Sequence, residues 1–198
     1  HLAKYFKGIL DHEQGLIYKP TQDLALNCYV DADFAGLWGY EDDQDPVCVR
    51  SRSGYVFTMG DCPVHWTSKL QTEIALSTTE AEYISLAQAL REFIPLRRAF
   101  DDMLVAFGLD TDHPPTVKST IFEDNNGAIS TARTPKMTPR TKHIAVKYHF
   151  VKTLFSRPDP ETVFSLVKID TLIQKADIFT KGLTADGFLR LRRLLCNY

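Results

Sequence analysis

The sequence lacks any run of about 18 apolar residues, so no segment is long and apolar enough to span a membrane as a helix. Cysteine is scarce, and the thiols at positions 28, 48, 62 and 196 have neither the paired spacing of a metal site nor the density of a disulfide scaffold. We therefore expect reduced thiols and an intracellular protein. A start methionine and an apolar leader are also lacking, so the opening HLAKYFKGIL indicates a piece excised from a longer chain.

Two stretches of the chain lack charge of one sign. Residues 133–157 contain seven Lys and Arg residues and not one Asp or Glu, whereas residues 31–45 contain six Asp and Glu residues and not one Lys or Arg. The net charge of the whole chain is only −2. A basic block in a nearly neutral protein indicates a local site for a polyanion rather than a generally adhesive surface.

Composition and periodicity indicate one α/β domain. With 198 residues, 44% of them hydrophobic and 24% charged, the chain can bury a sizeable core, in which we expect Tyr55, Phe57 and Trp66. Apolar runs and turn residues predict strands at 25–34, 53–60, 63–70, 117–123 and 162–169, with a shorter one at 16–20. Helical spacing predicts helices at 77–107, 125–134, 138–155, 174–181 and 186–196, after a helix end near the first residues. This order favours a mixed sheet with helices packed against it.

The longest of these helices begins with a capping box. Ser77 is followed three residues later by Glu80, so each side chain can accept a hydrogen bond from a backbone N–H at the helix start. Glu82 lies in the same first turn, where a carboxylate either compensates the helix dipole or serves a neighbouring site. Pro95 lies well inside the helix and predicts a kink or break there.

Four carboxylates lie at the ends of predicted strands or in the helices next to them. They are the acids at the end of the first strand, the start of the long helix, the end of the fourth main strand and the helix after the fifth: Asp31, Glu82, Asp124 and Asp177. Such positions can meet at one edge of a sheet, where four acids repel one another unless cations neutralise them. Oxygen ligands of this kind suit Mg²⁺, for which Mn²⁺ can substitute. Two ions about 4 Å apart can flank a phosphodiester, one activating water and the other stabilising the leaving oxygen.

Six ordered motifs carry a resemblance to a known family. They are YVDADFAG, SRSGYVF, WTSKLQTEIALSTTEAEY, IFEDNNGAI, RTKHIAVKYHF and QKADIFTKGL. Together they resemble the ribonuclease H domain of copia-type LTR-retrotransposon polyproteins. The resemblance implies the ribonuclease H-like fold, a five-stranded mixed sheet flanked by helices, and Mg²⁺-dependent hydrolysis of the RNA strand of RNA–DNA hybrids, with two ions bound together with substrate. It also implies that Asp31, Glu82, Asp124 and Asp177 are the catalytic and metal-binding acids.

The resemblance further implies a division of the chain and a set of partners. Residues 1–24 resemble the segment that joins the reverse transcriptase, residues 25–183 the ribonuclease H domain, and residues 184–198 a C-terminal amphipathic helix. The expected partners are an RNA–DNA hybrid and the reverse transcriptase domain of the same polyprotein, without a membrane or an obligatory small-molecule cofactor. We expect the protein inside the cell, in a cytoplasmic virus-like particle or in the nucleus.

Candidates for substrate binding come from the basic stretch and from the segment after the fourth main strand. Arg140, Lys142 and Lys147 can contact phosphates, which provides affinity without sequence preference. Asn125 and Asn126 lie next to the third acid and can read 2′-hydroxyl groups, which distinguishes RNA from DNA.

One feature of related enzymes is lacking. Cellular ribonucleases H carry a histidine in the loop before the last acid, and the corresponding KIDTLIQKAD has none. His143 is a candidate substitute, but a histidine among basic residues more often contacts phosphate, and we assign it to nucleic-acid binding. Three neighbouring acids have plainer expected roles: Asp33 caps a turn, Glu123 points away from Asp124 into solvent, and Asp170 is a turn residue.

Three interpretations stay open from the sequence. The first is an endoribonuclease specific for RNA–DNA hybrids. The second is a nuclease of the same fold that acts on DNA, such as a resolvase or an exonuclease, because a fold alone does not fix the substrate. The third is a domain kept for hybrid binding or polyprotein architecture, with little catalysis when separated from its polymerase. The motif set favours the first, and the presence of all four acids disfavours the third.

Overall fold

The computed structural model describes residues 2–9, 15–21, 25–37, 39, 45, 47–108, 117–136, 141, 143–156 and 164–197. Five strands form one sheet: β1 (Leu26–Asp33), β2 (Arg52–Met59), β3 (Cys62–Leu70), β4 (Ser119–Glu123) and β5 (Phe164–Lys168). Their order across the sheet is β3-β2-β1-β4-β5. The pairs β1–β2 and β2–β3 are antiparallel, whereas β1–β4 and β4–β5 are parallel, so the sheet is mixed as the sequence predicts.

The helices are α1 (Leu2–Ile9), α2 (Thr78–Ala106), α3 (Asn126–Arg133), α4 (Val151–Phe155) and α5 (Ala185–Cys196). Short 3₁₀ helices occupy Val146–Tyr148, Thr171–Ile173 and Lys175–Phe179. Within the described residues, no helix combines the length and the apolar character that crossing a membrane requires.

The sheet separates two apolar layers, and successive side chains of β1 point alternately into one layer and the other. Cys28 and Val30 belong to the larger core, which α2 covers, whereas Tyr29 belongs to a smaller core on the opposite face. The smaller core also contains Ala176 of the 3₁₀ helix Lys175–Phe179 and Leu195 of α5. Both faces of the central strands are therefore buried, and functional groups can be reached only at the sheet's edges.

The sequence predicted a kink or a break in the helix at Pro95, and the prediction of a break is wrong. Helix α2 runs through Pro95 from Thr78 to Ala106. Buried contacts on both sides hold it in place: Phe93 is fully buried, and the Arg97 side chain donates to the Val117 carbonyl (3.2 Å) and pairs with Asp101 (3.1 Å). These contacts offset the single backbone hydrogen bond that proline cannot make.

Three smaller expectations need correction. Residues 16–20 form no strand, because only isolated backbone bonds, such as Ile17 N–H to Cys196 O (3.0 Å), hold this segment. The predicted helix at 138–155 is divided where it is described, into Val146–Tyr148 and α4. Trp66 is 52% exposed and not in the core, because β3 is an edge strand, whereas Tyr55 and Phe57 are buried as expected.

Candidate metal centre and nucleic-acid interface

The four predicted acids come from four elements that meet at one edge of the sheet. Asp31 lies near the end of β1, and Glu82 lies near the start of α2. Asp124 directly follows β4, which runs parallel to β1, and Asp177 lies in the 3₁₀ helix Lys175–Phe179. Because parallel strands end at the same edge, β1 and β4 bring their terminal carboxylates together.

The carboxylates form two groups that share Asp124. Carboxylate oxygens of Asp31, Asp124 and Asp177 lie within 4.8 Å of one another, and those of Glu82, Glu123 and Asp124 do likewise. Glu82 and Glu123 each have a buried oxygen that accepts no hydrogen bond. A donor set made only of carboxylate oxygens, with orphaned atoms among them, fits Mg²⁺ or Mn²⁺.

The expectation that Glu123 points into solvent is wrong. Its side chain is fully buried, and one of its oxygens accepts from the Asn125 backbone N–H (2.9 Å). Alternation along β4 places Glu123 on the same face as Ile121, which belongs to the core beneath α2. That face is covered by a helix rather than by water, so Glu123 meets Glu82 there.

Asp31 is held by groups on both sides of the sheet. The Thr180 hydroxyl donates to one carboxylate oxygen of Asp31, and the Ser85 hydroxyl of α2 donates to its backbone carbonyl (2.8 Å). Thr180 can come this close because residue 54 is glycine: a Cβ on Gly54 would lie 2.5 Å from Thr180 Cγ2. The sequence analysis missed Thr180, although it lies inside the QKADIFTKGL motif.

Lys181 supplies a positive charge to the first acid group. Its ammonium group lies 3.1 Å from an Asp177 oxygen and 3.5 Å from an Asp31 oxygen. Burial lowers the pKa of Lys181, but the charges of Asp31 and Asp177 outweigh burial and leave it raised. Lys181 was also missed by the sequence analysis, although its i,i+4 spacing from Asp177 was a usable signal.

Gln174 fixes the helical turn that carries Asp177. Its side-chain amide is fully buried and donates to the Val30 carbonyl of β1 (2.9 Å) and to the Phe122 carbonyl of β4 (3.4 Å). Its oxygen accepts from the Ala176 N–H (3.3 Å). The pairing between β1 and β4 ends at Tyr29 and Phe122. Gln174 therefore bridges the two strands at the point where they begin to separate.

Burial and mutual repulsion disfavour the charged forms of three of these acids. Burial, and then the charges of Glu123 and Asp31, raise the pKa of Glu82. Burial likewise raises the pKa of Glu123. For Asp177, burial and then the charge of Asp31 raise the pKa to about 7, although Lys181 acts in the opposite direction. The centre therefore retains protons near neutral pH unless a cation replaces them.

This gives a pH dependence of stability for the metal-free protein. The pKa of Asp177 is about 7 in the folded protein and roughly 3.9 in an unfolded chain, so the folded state binds more protons between these values. The free energy of unfolding should therefore fall as pH rises from about 4 to about 7. Thermal melts in EDTA at intervals across this range measure the effect.

Two comparisons isolate the cause. Asp177→Asn should reduce the loss of stability with pH, because it removes one of the groups that titrate, while Glu82 and Glu123 remain. Saturating Mg²⁺ should raise the melting temperature most at the upper end of the range, because a bound cation takes the place of protons. Identical pH profiles for the wild type and Asp177→Asn would contradict the assignment.

The two asparagines lie beside the centre. Asn125 is the N-cap of α3, and its side-chain oxygen accepts from the Ala128 N–H (3.0 Å). Its NH₂ group can donate outward. Asn126 is the first residue of α3 and is exposed. Both are at the same sheet edge as Asp124.

The predicted basic residues are described only in part. Arg140 and Lys142 lie outside the described residues. The ammonium group of Lys147 pairs with Glu73, which also accepts from the Tyr148 hydroxyl. His143 pairs with Glu80 (Nε2 to Oε2, 2.9 Å), and both line a cavity of about 440 Å³ between the starts of α2 and α3. The capping box is confirmed only in part: the Ser77 hydroxyl accepts from the Glu80 N–H (3.1 Å), but the Glu80 side chain accepts from the Leu76 N–H (2.9 Å), one residue before the N-cap.

Comparison with known proteins gives relatives along nearly the whole chain. The retrovirus-related Pol polyproteins from transposons RE2 and RE1 of Arabidopsis thaliana are 34% identical over 192 residues and 33% identical over 187 residues. The alignments cover 97% and 94% of this chain but only 12% and 11% of the polyproteins. The chain thus spans a small part of the relatives it matches. No protein-family model matches the sequence.

Among solved structures, the chain is similar to a ribonuclease H1 isolated from compost by a metagenomic approach. The two share 18% sequence identity with a TM-score of 0.50, and the superposition covers 79% of this chain and 93% of the other. At this identity the likeness concerns the fold alone.

Proposed function

Because this chain is homologous to a segment of retrovirus-related transposon Pol polyproteins and has a ribonuclease H-like fold, we propose that it is a metal-dependent ribonuclease H. It hydrolyses the RNA strand of RNA–DNA hybrids during reverse transcription of a retrotransposon. The observation that carries the proposal is the meeting of carboxylates from β1, α2, β4 and the Lys175–Phe179 helix around Asp124.

The chemistry follows from what this centre can hold. Mg²⁺, or Mn²⁺ in its place, would activate water and stabilise the leaving oxygen, as pairs of ions do in phosphodiester hydrolysis. Asp31, Glu82, Asp124 and Asp177 would be the protein ligands. Hydrogen bonds from protein hydroxyl groups fix two of these carboxylates in advance: Thr180 donates to Asp31, and the Thr171 hydroxyl donates to Asp124 (2.6 Å).

The RNA strand is selected at the same edge. The Asn125 amide and the exposed Asn126 would contact 2′-hydroxyl groups, which only RNA carries. The cavity lined by His143 and Lys152 would receive phosphates of the hybrid, and the basic side chains of residues 133–157 would contribute affinity. Polar and charged contacts of this kind recognise a backbone and not a base sequence.

The salt dependence of hybrid binding tests the basic stretch. Changing Arg140, Lys142 and Lys147 together to Ala should lower the slope of log K against log salt by roughly 0.7–0.9 for each phosphate that the protein no longer neutralises. Affinity should fall equally for all sequences, because phosphates carry no base identity. Lys147 must exchange Glu73 for a phosphate, so its share of the effect should be the smallest.

A charge-matched variant serves as the control. Changing three lysines near the start of the chain to Ala (Lys4, Lys7 and Lys19) removes the same charge from exposed positions. That variant should keep the wild-type slope. Equal slopes for all three proteins would mean that the basic stretch is solvent-exposed and that the hybrid lies elsewhere.

The partner and location follow from the same proposal. The reverse transcriptase domain of the same polyprotein would deliver the hybrid, and the enzyme would act in a cytoplasmic virus-like particle or in the nucleus. The relatives are polyproteins that are much longer than this chain, which supports a covalently linked partner.

A cleavage assay on three labelled duplexes tests the function. RNA–DNA, RNA–RNA and DNA–DNA duplexes of one sequence are incubated with the protein, with Mg²⁺ or with EDTA. The expected result is cleavage of the RNA strand in the RNA–DNA duplex alone, and only with Mg²⁺. Cleavage of the DNA duplex would favour another nuclease of the same fold. Tight hybrid binding without any cleavage would favour a binding role.

A further inference from the structure

The two acid groups lie on opposite faces of the sheet. Asp31 points to the face that carries the Lys175–Phe179 helix, because Thr180 contacts it there. Glu123 points to the face covered by α2, where Glu82 lies. Asp124 follows the last residue of β4 and belongs to both groups.

The first group already has a protein cation. The ammonium group of Lys181 lies within 3.5 Å of Asp31 and within 3.1 Å of Asp177. The Thr180 hydroxyl donates to Asp31 as well. Part of the repulsion between these two acids is therefore balanced before any metal binds.

The second group has no such partner in the described part of the chain. No Lys, Arg or His side chain there lies within ion-pairing distance of Glu82 or Glu123. The Oε2 atoms of both residues are buried and accept no hydrogen bond. Burying charged carboxylate oxygens without partners is costly, so this cluster either keeps its protons or exchanges them for a cation.

Resting on the metal dependence of the proposed function, we propose that Glu123 is a metal ligand. With Glu82 and Asp124 it forms a divalent-cation site that fills before the site at Asp31 and Asp177. Carboxylate oxygens from three residues provide the hard ligands that Mg²⁺ and Mn²⁺ prefer, and the partly exposed Asp124 leaves an opening for water. At the other site, an incoming cation must compete with Lys181.

Manganese binding without substrate tests the proposal. The concentration of unbound Mn²⁺ is followed by electron paramagnetic resonance during titration of the wild type, Glu123→Gln and Asp170→Asn. Glu123→Gln should weaken the first Mn²⁺ at least about tenfold, since even residues that only support ligands often cost this much. Asp170→Asn removes one acid near the same edge, keeps a good N-cap residue and should bind like the wild type.

The order of filling is tested with two lysine variants. Lys181→Met should tighten the second Mn²⁺ more than the first, because Lys181 pairs directly with Asp31 and Asp177 but acts on Glu82 only from beyond ion-pairing distance. Lys168→Met is the matched control. The Lys168 ammonium group donates to the main-chain oxygen of Asp124 and does not contact the carboxylates of either acid group. This variant should leave both affinities unchanged. Tightening of the first ion as much as or more than the second by Lys181→Met would overturn the proposed order.

Stability in EDTA separates a lost ligand from a lost fold. Glu123→Gln should melt at or above the wild-type temperature in EDTA, because it replaces a buried acid, whose charged form burial and neighbouring acids disfavour, with a neutral amide of the same shape. Glu123→Leu repeats the comparison if the glutamine variant does not fold. Wild-type affinity for the first Mn²⁺ in a folded variant would mean that Glu82 and Glu123 share only a proton, and the inference would be wrong. Continued Mg²⁺-dependent cleavage of the hybrid by the wild type would leave the proposed function standing.

Discussion

Replacing Asp124 with Asn should lower the rate of hybrid hydrolysis at least about 10³-fold and leave hybrid binding unchanged or slightly tighter. Asp124 is the one carboxylate that belongs to both acid groups, so its loss disturbs every cation the centre holds. Metal ions supply several kcal/mol of stabilisation in such reactions, and each 1.36 kcal/mol corresponds to about tenfold in rate. Binding is spared because the amide keeps the shape and removes a charge that repels phosphates.

Single-turnover cleavage at saturating hybrid and a binding titration in EDTA separate the two effects. Asp33→Asn is the matched control: Asp33 ends β1 but belongs to neither acid group found among the described residues. It should cleave within about twofold of the wild-type rate. Mg²⁺-dependent cleavage by Asp124→Asn at a wild-type rate would refute the assignment of the centre.

Replacing Gln174 with Leu should have the second-largest effect, on both stability and metal binding. Leucine fills a similar volume but leaves the Val30 and Phe122 carbonyls without the amide donor they have now. Each buried polar group left unsatisfied costs about 1–3 kcal/mol, so we expect a loss of about 2–4 kcal/mol in the free energy of unfolding. In a protein of this size that loss lowers the melting temperature by roughly 5–15 °C.

The same change should weaken Mn²⁺ binding about 10- to 100-fold, because Gln174 positions the turn that carries Asp177. Gln88→Leu, on the half-buried side of α2, makes the same chemical change away from the centre and should alter neither quantity appreciably. A Gln174→Leu protein that loses stability but binds Mn²⁺ normally would show that the amide supports the sheet and not the site.

The parts of the fold that the sequence predicted depend on local patterns. All five strands of the sheet and the N-caps at Ser77 and Asn125 follow from alternation, helical spacing and turn residues within short windows. Glu123 shows the limit of such rules. Alternation predicted that its side chain points away from Asp124 into solvent. Only the packing of α2 decides that this face is buried and that the Glu123 carboxylate lies within 4.8 Å of the Asp124 carboxylate.

The residues that the sequence analysis missed act through contacts between distant parts of the chain. Thr180 and Lys181 contact Asp31, from which they are 149 and 150 residues apart in the sequence. Gln174 contacts Val30, which is 144 residues away in the sequence. Their motif was recognised, yet only Asp177 in it received a role, because a hydroxyl, an ammonium or an amide in a short helix is commonplace. The one local signal was the i,i+4 spacing of Asp177 and Lys181.

The same long separations in sequence determine the order in which the parts of the acid centre are synthesised. Asp31 emerges from the ribosome 150 residues ahead of Lys181, and at 5–20 residues per second this interval lasts about 8–30 s. Throughout that time β1 exists without the hydroxyl, the ammonium group and the buried amide that later hold its acid in place. A partly translated chain can therefore expose an acidic strand end, and the acid centre stays incomplete until the Gln174–Lys181 segment has been synthesised and has docked.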